Sequence, residues 1–152
     1  MFRTADGLGI RRLHLCGVTP TPENPKVVKT SLGAENHVEW RQYNDGLKAA
    51  RQLREQGLRL WALEDCPQAG SLVDIGSQAH MEPVVLVVGN EISGVDPEIL
   101  NLCERVVFIP MRGTKRSFNA AVAFGIAAHY LSETFTSRFF PKDPSENSLI
   151  PG

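Results

Sequence analysis

The sequence predicts an α/β fold, with a mainly parallel sheet flanked by helices, and three observations carry that expectation. Segments of strand character alternate with segments of helical periodicity along the chain. Residues 84–88 and 106–109 form continuous apolar runs rich in β-branched residues, the mark of strands buried on both faces. Each run opens into polar or proline-containing loop, Gly89-Asn90-Glu91 after the first and Pro110-Met111 after the second, and open α/β sheets build ligand sites at such strand ends.

The elements follow in order. Apolar and polar residues alternate over 12–16, which predicts a strand. Pro20, Pro22 and Pro25 then enforce a loop. Residues 26–32 have short helical character, stopped by Gly33. Asn44 or Asp45 caps a helix through Leu47, Ala50, Leu53 and Arg54, and Gly57 suits its left-handed stop. Residues 58–63 read as a second strand containing Trp61, and the mixed segment 64–83 holds a short apolar piece at 72–75. Asp96 followed by Pro97 starts a short helix ending at Asn101 or Leu102. The last helix runs from Asn119 to about Ser132, and its many alanines permit close packing. One domain over 1–140 and a polar, proline-containing, flexible tail over 141–152 complete the expectation.

Composition narrows the function classes. A chain of 152 residues buries a substantial core, and 42% hydrophobic with 22% charged residues is ordinary for a soluble globular protein. No apolar run is long enough to span a bilayer, and no basic-then-apolar leader opens the sequence, so a cytoplasmic location is the default expectation. The net charge of -1 gives no global argument for a nucleic-acid partner, but such binding needs only a local basic surface. Arg11 and Arg12, then Arg51, Arg54 and Arg59, then Arg112, Lys115 and Arg116 are the candidates; Arg51 and Arg54 fit a solvated helix face equally well. Cys16, Cys66 and Cys103 are widely spaced, and the four histidines lack ligand spacing, so neither a disulfide framework nor a metal site is expected.

The polar loops carry the chemistry. Gly89 lets a ligand approach the backbone closely where a strand ends, and Asn90 and Glu91 add polar groups there. Taken alone, that composition is also an ordinary turn. The second block gives it weight: Ile109-Pro110-Met111 closes a strand, Arg112-Gly113-Thr114-Lys115-Arg116 forms a basic loop, and Ser117 and Asn119 flank a helix start whose N–H groups need acceptors. One of these two caps that helix, which does not exclude ligand contact. No Walker-type phosphate loop, dinucleotide fingerprint or G-x-S-x-G elbow occurs, so nucleoside-triphosphate and hydrolase readings lack support.

Three blocks together resemble the motifs of the SpoU/TrmH-type RNA ribose methyltransferases of the SPOUT class. They are residues 2–10 with Arg3, Val88-Gly89-Asn90-Glu91 with Gly94, and Ile109-Pro110-Met111 with Ser117-Phe118-Asn119. In relatives a strand and an asparagine-containing segment precede the arginine, so the resemblance describes a domain over 1–140 without that first strand. It implies a deep trefoil knot at the C-terminal end of the sheet. It implies S-adenosylmethionine, held by Leu63, Gly89, Ile109, Met111 and Ser117, and no metal. It implies catalytic roles for Arg3, Glu91, Ser117 and Asn119, RNA contact by Arg11, Arg12, Arg112, Lys115 and Arg116, and a homodimer whose interface includes the last helix. The reaction implied is methyl transfer to a ribose 2′-hydroxyl of transfer RNA first and ribosomal RNA next. An RNA- or cofactor-binding protein of the same fold without turnover is the alternative, and a generic nucleotide-binding α/β domain is a third.

Overall fold

A computed structural model describes residues 1–77, 83–90 and 92–139, with residues 76–77 and 135–139 described by backbone alone. Glu91 and the expected tail over 141–152 lie outside the described residues. The order is α1 (Phe2–Gly7), β1 (Arg12–Cys16), α2 (Pro25–Ser31), β2 (Glu39–Tyr43), α3 (Gly46–Glu55), β3 (Arg59–Leu63), β4 (Gly70–Ser71), β5 (Val84–Val88), α4 (Pro97–Leu102), β6 (Arg105–Phe108) and α5 (Ala120–Phe139). Short 3-10 turns occupy Ala34–Asn36 and Leu72–Ser77.

Every described strand pairing is parallel, so the α/β class holds. The strands form two sheets rather than one: β1 with β2, and four strands in the order β4-β6-β3-β5. Among the described residues β5 ends that order, and its five residues are each half-buried, with Val84, Leu86 and Val88 packed toward one face and Val85 and Val87 toward the other. Side chains join the two sheets, since Leu86 and Val88 of β5 pack against a cluster that includes Phe2, Leu15 and Val38.

Pleat alternation distributes the helices. Trp61 and Leu63 of β3 pack with Val107, Ala127 and Leu131 beneath α5, whereas Leu60 turns to Ala50 and Leu53 of α3 and to Ile99 and Leu102 of α4. Helix α5 serves two cores at once: Ala127 and Leu131 face the four-stranded sheet, and Phe124 and Ala128 face α1 and β1. Complete burial of a side chain such as Leu60 is worth about 1.5–3 kcal/mol. The Tyr130 hydroxyl donates to the Val73 carbonyl at 2.8 Å and ties α5 to the 3-10 turn.

Local signals explain the boundaries. Asp45 accepts from Lys48 N at 3.0 Å and caps α3, and Gly57 takes the left-handed conformation after it. Asp96 accepts from Glu98 N at 2.7 Å and caps α4. The stop of α2 differs from expectation, because Leu32 itself is left-handed (φ 52°) before Gly33. The apolar piece at 72–75 is a 3-10 turn and not a strand, with only Gly70 and Ser71 pairing to β6.

Candidate active site

The strand ends are in register. Leu63 lies opposite Val88 on one side and opposite Val107 on the other, so the chain leaves β3, β5 and β6 at the same edge of the sheet. The following loops enclose a cavity of about 290 Å³ at this carboxyl edge, where open α/β sheets place ligands. Leu63, Phe108, Ile109, Met111 and Ala123 give it apolar walls. Glu64, Asp65, Asn90, Arg116 and Ser117 add polar groups, and Gly89, Ser93 and Gly94 bring backbone to its surface.

The loop after β5 is a closed turn. Asn90 and Gly94 exchange backbone hydrogen bonds of 3.1 and 2.9 Å, and the Asn90 side chain accepts from Ile92 N at 2.8 Å. The Glu64 Oε2 accepts from Val95 N at 2.8 Å, which ties the turn to the end of β3. Gly94 is left-handed (φ 68°), a conformation that glycine adopts without strain.

Six expected residues therefore meet at one cavity: Leu63, Gly89, Ile109, Met111, Arg116 and Ser117. Asn119 is not among the lining residues. Its Oδ1 accepts from Ala121 N at 3.0 Å, so Asn119 is the helix cap and Ser117 is left facing the cavity. Arg3 is exposed on α1, also outside the lining.

The basic candidates divide. Arg12 donates two hydrogen bonds to the Glu39 carboxylate, its register partner on β2, so its guanidinium is engaged in an ion pair. Arg51 pairs with Glu98 at 3.8 Å, and Arg54 donates to the Leu102 carbonyl at 3.1 Å, so both brace α3 against α4. Arg59 is paired with Glu104. Arg11, Arg112, Lys115 and Arg116 are exposed and form no ion pair among the described residues.

Sequence reasoning missed Glu64, Asp65 and Phe118 as lining residues. The available signal was positional, since the first two directly follow a strand whose last residue was already a candidate. Among the described residues no group of three His, Cys, Asp or Glu side chains is arranged for a metal ion, and no helix is long and apolar enough to cross a membrane. Burial pushes the Cys103 thiol up to about 11 and raises Cys16 as well, so both stay protonated at neutral pH.

The sequence model of the SpoU rRNA Methylase family matches residues 1–129. A tRNA (guanosine(18)-2′-O)-methyltransferase from Thermus thermophilus is 30% identical over 126 residues, covering 83% of this chain and 62% of its own length. A structure described as giving structural insights into the 2-OH methylation of C/U34 on tRNA has a TM-score of 0.73 and 32% identity, covering 90% of this chain and 86% of that one. The SpoU methyltransferase AviRb from Streptomyces viridochromogenes, solved in complex with the cofactor AdoMet, has a TM-score of 0.75 at 23% identity, over 91% of this chain and 54% of that one. That last likeness speaks for the fold alone. The chain spans about half the length of curated relatives it matches, 52% and 49% in two cases. Matched from its first residue through the first half of α5, the chain belongs to the SpoU rRNA methylase family.

Proposed function

We propose that residues 1–140 form an S-adenosylmethionine-dependent RNA methyltransferase domain acting on a ribose 2′-hydroxyl, in transfer RNA foremost and ribosomal RNA next. The observation that carries this reading is the cavity itself, where the second and third motif blocks converge at the carboxyl ends of β3, β5 and β6. Family membership and the relatives' 2′-O-methylating activities support it. A deep trefoil knot at the C-terminal end and a cytoplasmic location belong to the same reading.

The donor set fits the cofactor. Leu63, Ile109 and Met111 offer apolar walls for an adenine ring, and the 89–94 turn offers backbone groups to its polar edges. Bound there, S-adenosylmethionine supplies a methyl group activated by its sulfonium. The protein must then align donor and acceptor and ease removal of the hydroxyl proton. Ser117 contributes a hydroxyl at the cavity wall, and Glu91 and Asn119 organise the loops that border it. Arg3 binds an RNA phosphate and orients the ribose hydroxyl; as a permanently protonated guanidinium it is not the base. Arg11, Arg112, Lys115 and Arg116 form the RNA-facing surface.

The proposed assembly is a homodimer. Val122 and Ile126 are 49% and 39% exposed on the face of α5 opposite buried Phe124, Ala127 and Leu131, and Phe118 adds a 39% exposed ring before the helix. Such a stripe on a helix already buried on its other side suits a second copy.

The test is methyl transfer from labelled S-adenosylmethionine to bulk transfer and ribosomal RNA, followed by nucleoside analysis. A 2′-O-methylated nucleoside is expected, and its absence with an intact cofactor site overturns the enzymatic reading. One observation favours the non-enzymatic alternative, the position of Arg3 away from the cavity lining. Arg3→Ala separates the two, because it is expected to abolish turnover and leave S-adenosylhomocysteine binding intact.

A further inference from the structure

We propose that Glu64 is a positioning residue, whose carboxylate locks the turn after β5 into the shape that receives the cofactor. The inference rests on the cofactor site described above and assigns to it a side chain that acts through the backbone of another loop.

Glu64 is the first residue past β3, and its own N–H donates to the Val107 carbonyl at 2.9 Å, so its backbone is fixed to β6. From that anchored position its side chain crosses to the loop after β5, where Oε2 accepts from Val95 N at 2.8 Å. The carboxylate also lies against Gly94: a Cβ there would stand 2.6 Å from Oε2 and 3.0 Å from Oε1. Glycine at 94 therefore serves two demands at once, the left-handed backbone and the room the carboxylate occupies.

Among the described residues the other bonds of the turn are internal. Asn90 and Gly94 bond to each other, and the Asn90 side chain bonds to Ile92 N, which closes the turn without aiming it. The Glu64–Val95 bond joins the turn to the end of β3, whose Leu63 also lines the cavity. A turn held this way presents its backbone groups before the ligand arrives. A turn released from β3 must be ordered by the ligand, and ordering loop residues weakens affinity. Glutamate has the reach and a charged acceptor for the N–H. Glutamine keeps the reach and an amide oxygen, and alanine has neither.

Titration calorimetry with S-adenosylhomocysteine on the purified chain tests this, alongside amide exchange at Val95 and thermal melting. Wild-type binding comes first, because a wild type that does not bind indicts the cofactor site and not Glu64. Given binding, Glu64→Ala is expected to lose at least tenfold in affinity and to lose protection at Val95 N while the chain still melts cooperatively. Glu64→Gln is expected to restore most of both. In steady-state assays the cofactor KM of Glu64→Ala rises and kcat at saturation stays within about twofold. Wild-type affinity in Glu64→Ala overturns the proposal. So does equal weakness of the glutamine and alanine variants with Val95 still protected, since the carboxylate would then contact the ligand directly.

Discussion

A Cβ placed on Gly89 would stand 2.2 Å from the carbonyl carbon of Gly94 and 2.4 Å from Val95 N. Both neighbours are backbone, so no side-chain rotation relieves the clash. The two glycines let β5 end and the chain fold back on itself within five residues, at the wall of the cavity.

Gly89→Ala is therefore expected to push the turn out of place. Overpacking of this kind costs about 1–3 kcal/mol. Chemical denaturation should show a loss of that size, and S-adenosylhomocysteine affinity should fall at least tenfold. Unchanged affinity would mean that the turn is not part of the binding surface.

The basic loop makes a separate prediction. Arg112, Lys115 and Arg116 are exposed, and Arg116 lines the cavity. Replacing all three by glutamine should weaken RNA binding and lower the slope of log affinity against log salt by about 2, as expected for three phosphate contacts to single-stranded nucleic acid. Arg12→Gln should leave that slope unchanged, because its guanidinium is already held by Glu39. An unaltered slope in the triple variant would assign the RNA surface elsewhere.

These contrasts show what was legible before the structure. The strands at β1, β3, β5 and β6 announced themselves by alternation or by apolar runs, and the caps at Asp45 and Asp96 by residue type. Strand β2 did not, because Glu39, Arg41 and Gln42 are exposed and its sequence reads as polar. Helix α1 was hidden by its length, six residues held in place by burial of Phe2 and Ala5 rather than by a side-chain N-cap. The wall of the cavity was visible in the glycine and proline blocks. The Glu64 contribution was not, since a bond spanning 31 residues of sequence leaves no local pattern. The Arg12–Glu39 ion pair was hidden for the same reason: pairing across β1 and β2 depends on a register that neither segment encodes alone.

The exposed stripe on α5 bears on assembly. Val122 and Ile126 sit one turn apart and point away from the core formed by Phe124, Ala127 and Leu131. Ile126→Glu places a charge in the middle of this face without touching the core. Light scattering coupled to size exclusion should show a shift from dimer to monomer at micromolar concentration, with the far-ultraviolet spectrum unchanged. A dimer that persists in Val122→Glu/Ile126→Glu would place the interface on another surface.

His14 predicts how stability responds to pH. Its Nδ1 is buried without a hydrogen-bond partner among the described residues, its ring lies 5.6 Å from that of Tyr43, and its register partner on β2 is Arg41. Burial, and then the charges of Arg12 and Arg41, hold its pKa below the ordinary value of 6.5. The unfolded chain therefore takes up this proton first as pH falls, and stability drops from about pH 6.5 downward until the folded pKa is passed. Glu39 acts in a lower window, because hydrogen bonding and charge from Arg12 hold its pKa below 4.5, so its contribution is complete above that pH and fades beneath it. Urea midpoints measured from pH 8 to pH 5 thus separate the histidine from Glu39, while the Met1 amine, whose pKa burial lowers from 8.0, acts in the same range. His14→Phe keeps a ring against Tyr43 and removes the titration, so below about pH 6.5 its midpoint should decline less than that of the wild type. Parallel curves for the two proteins would assign the acid sensitivity to another group.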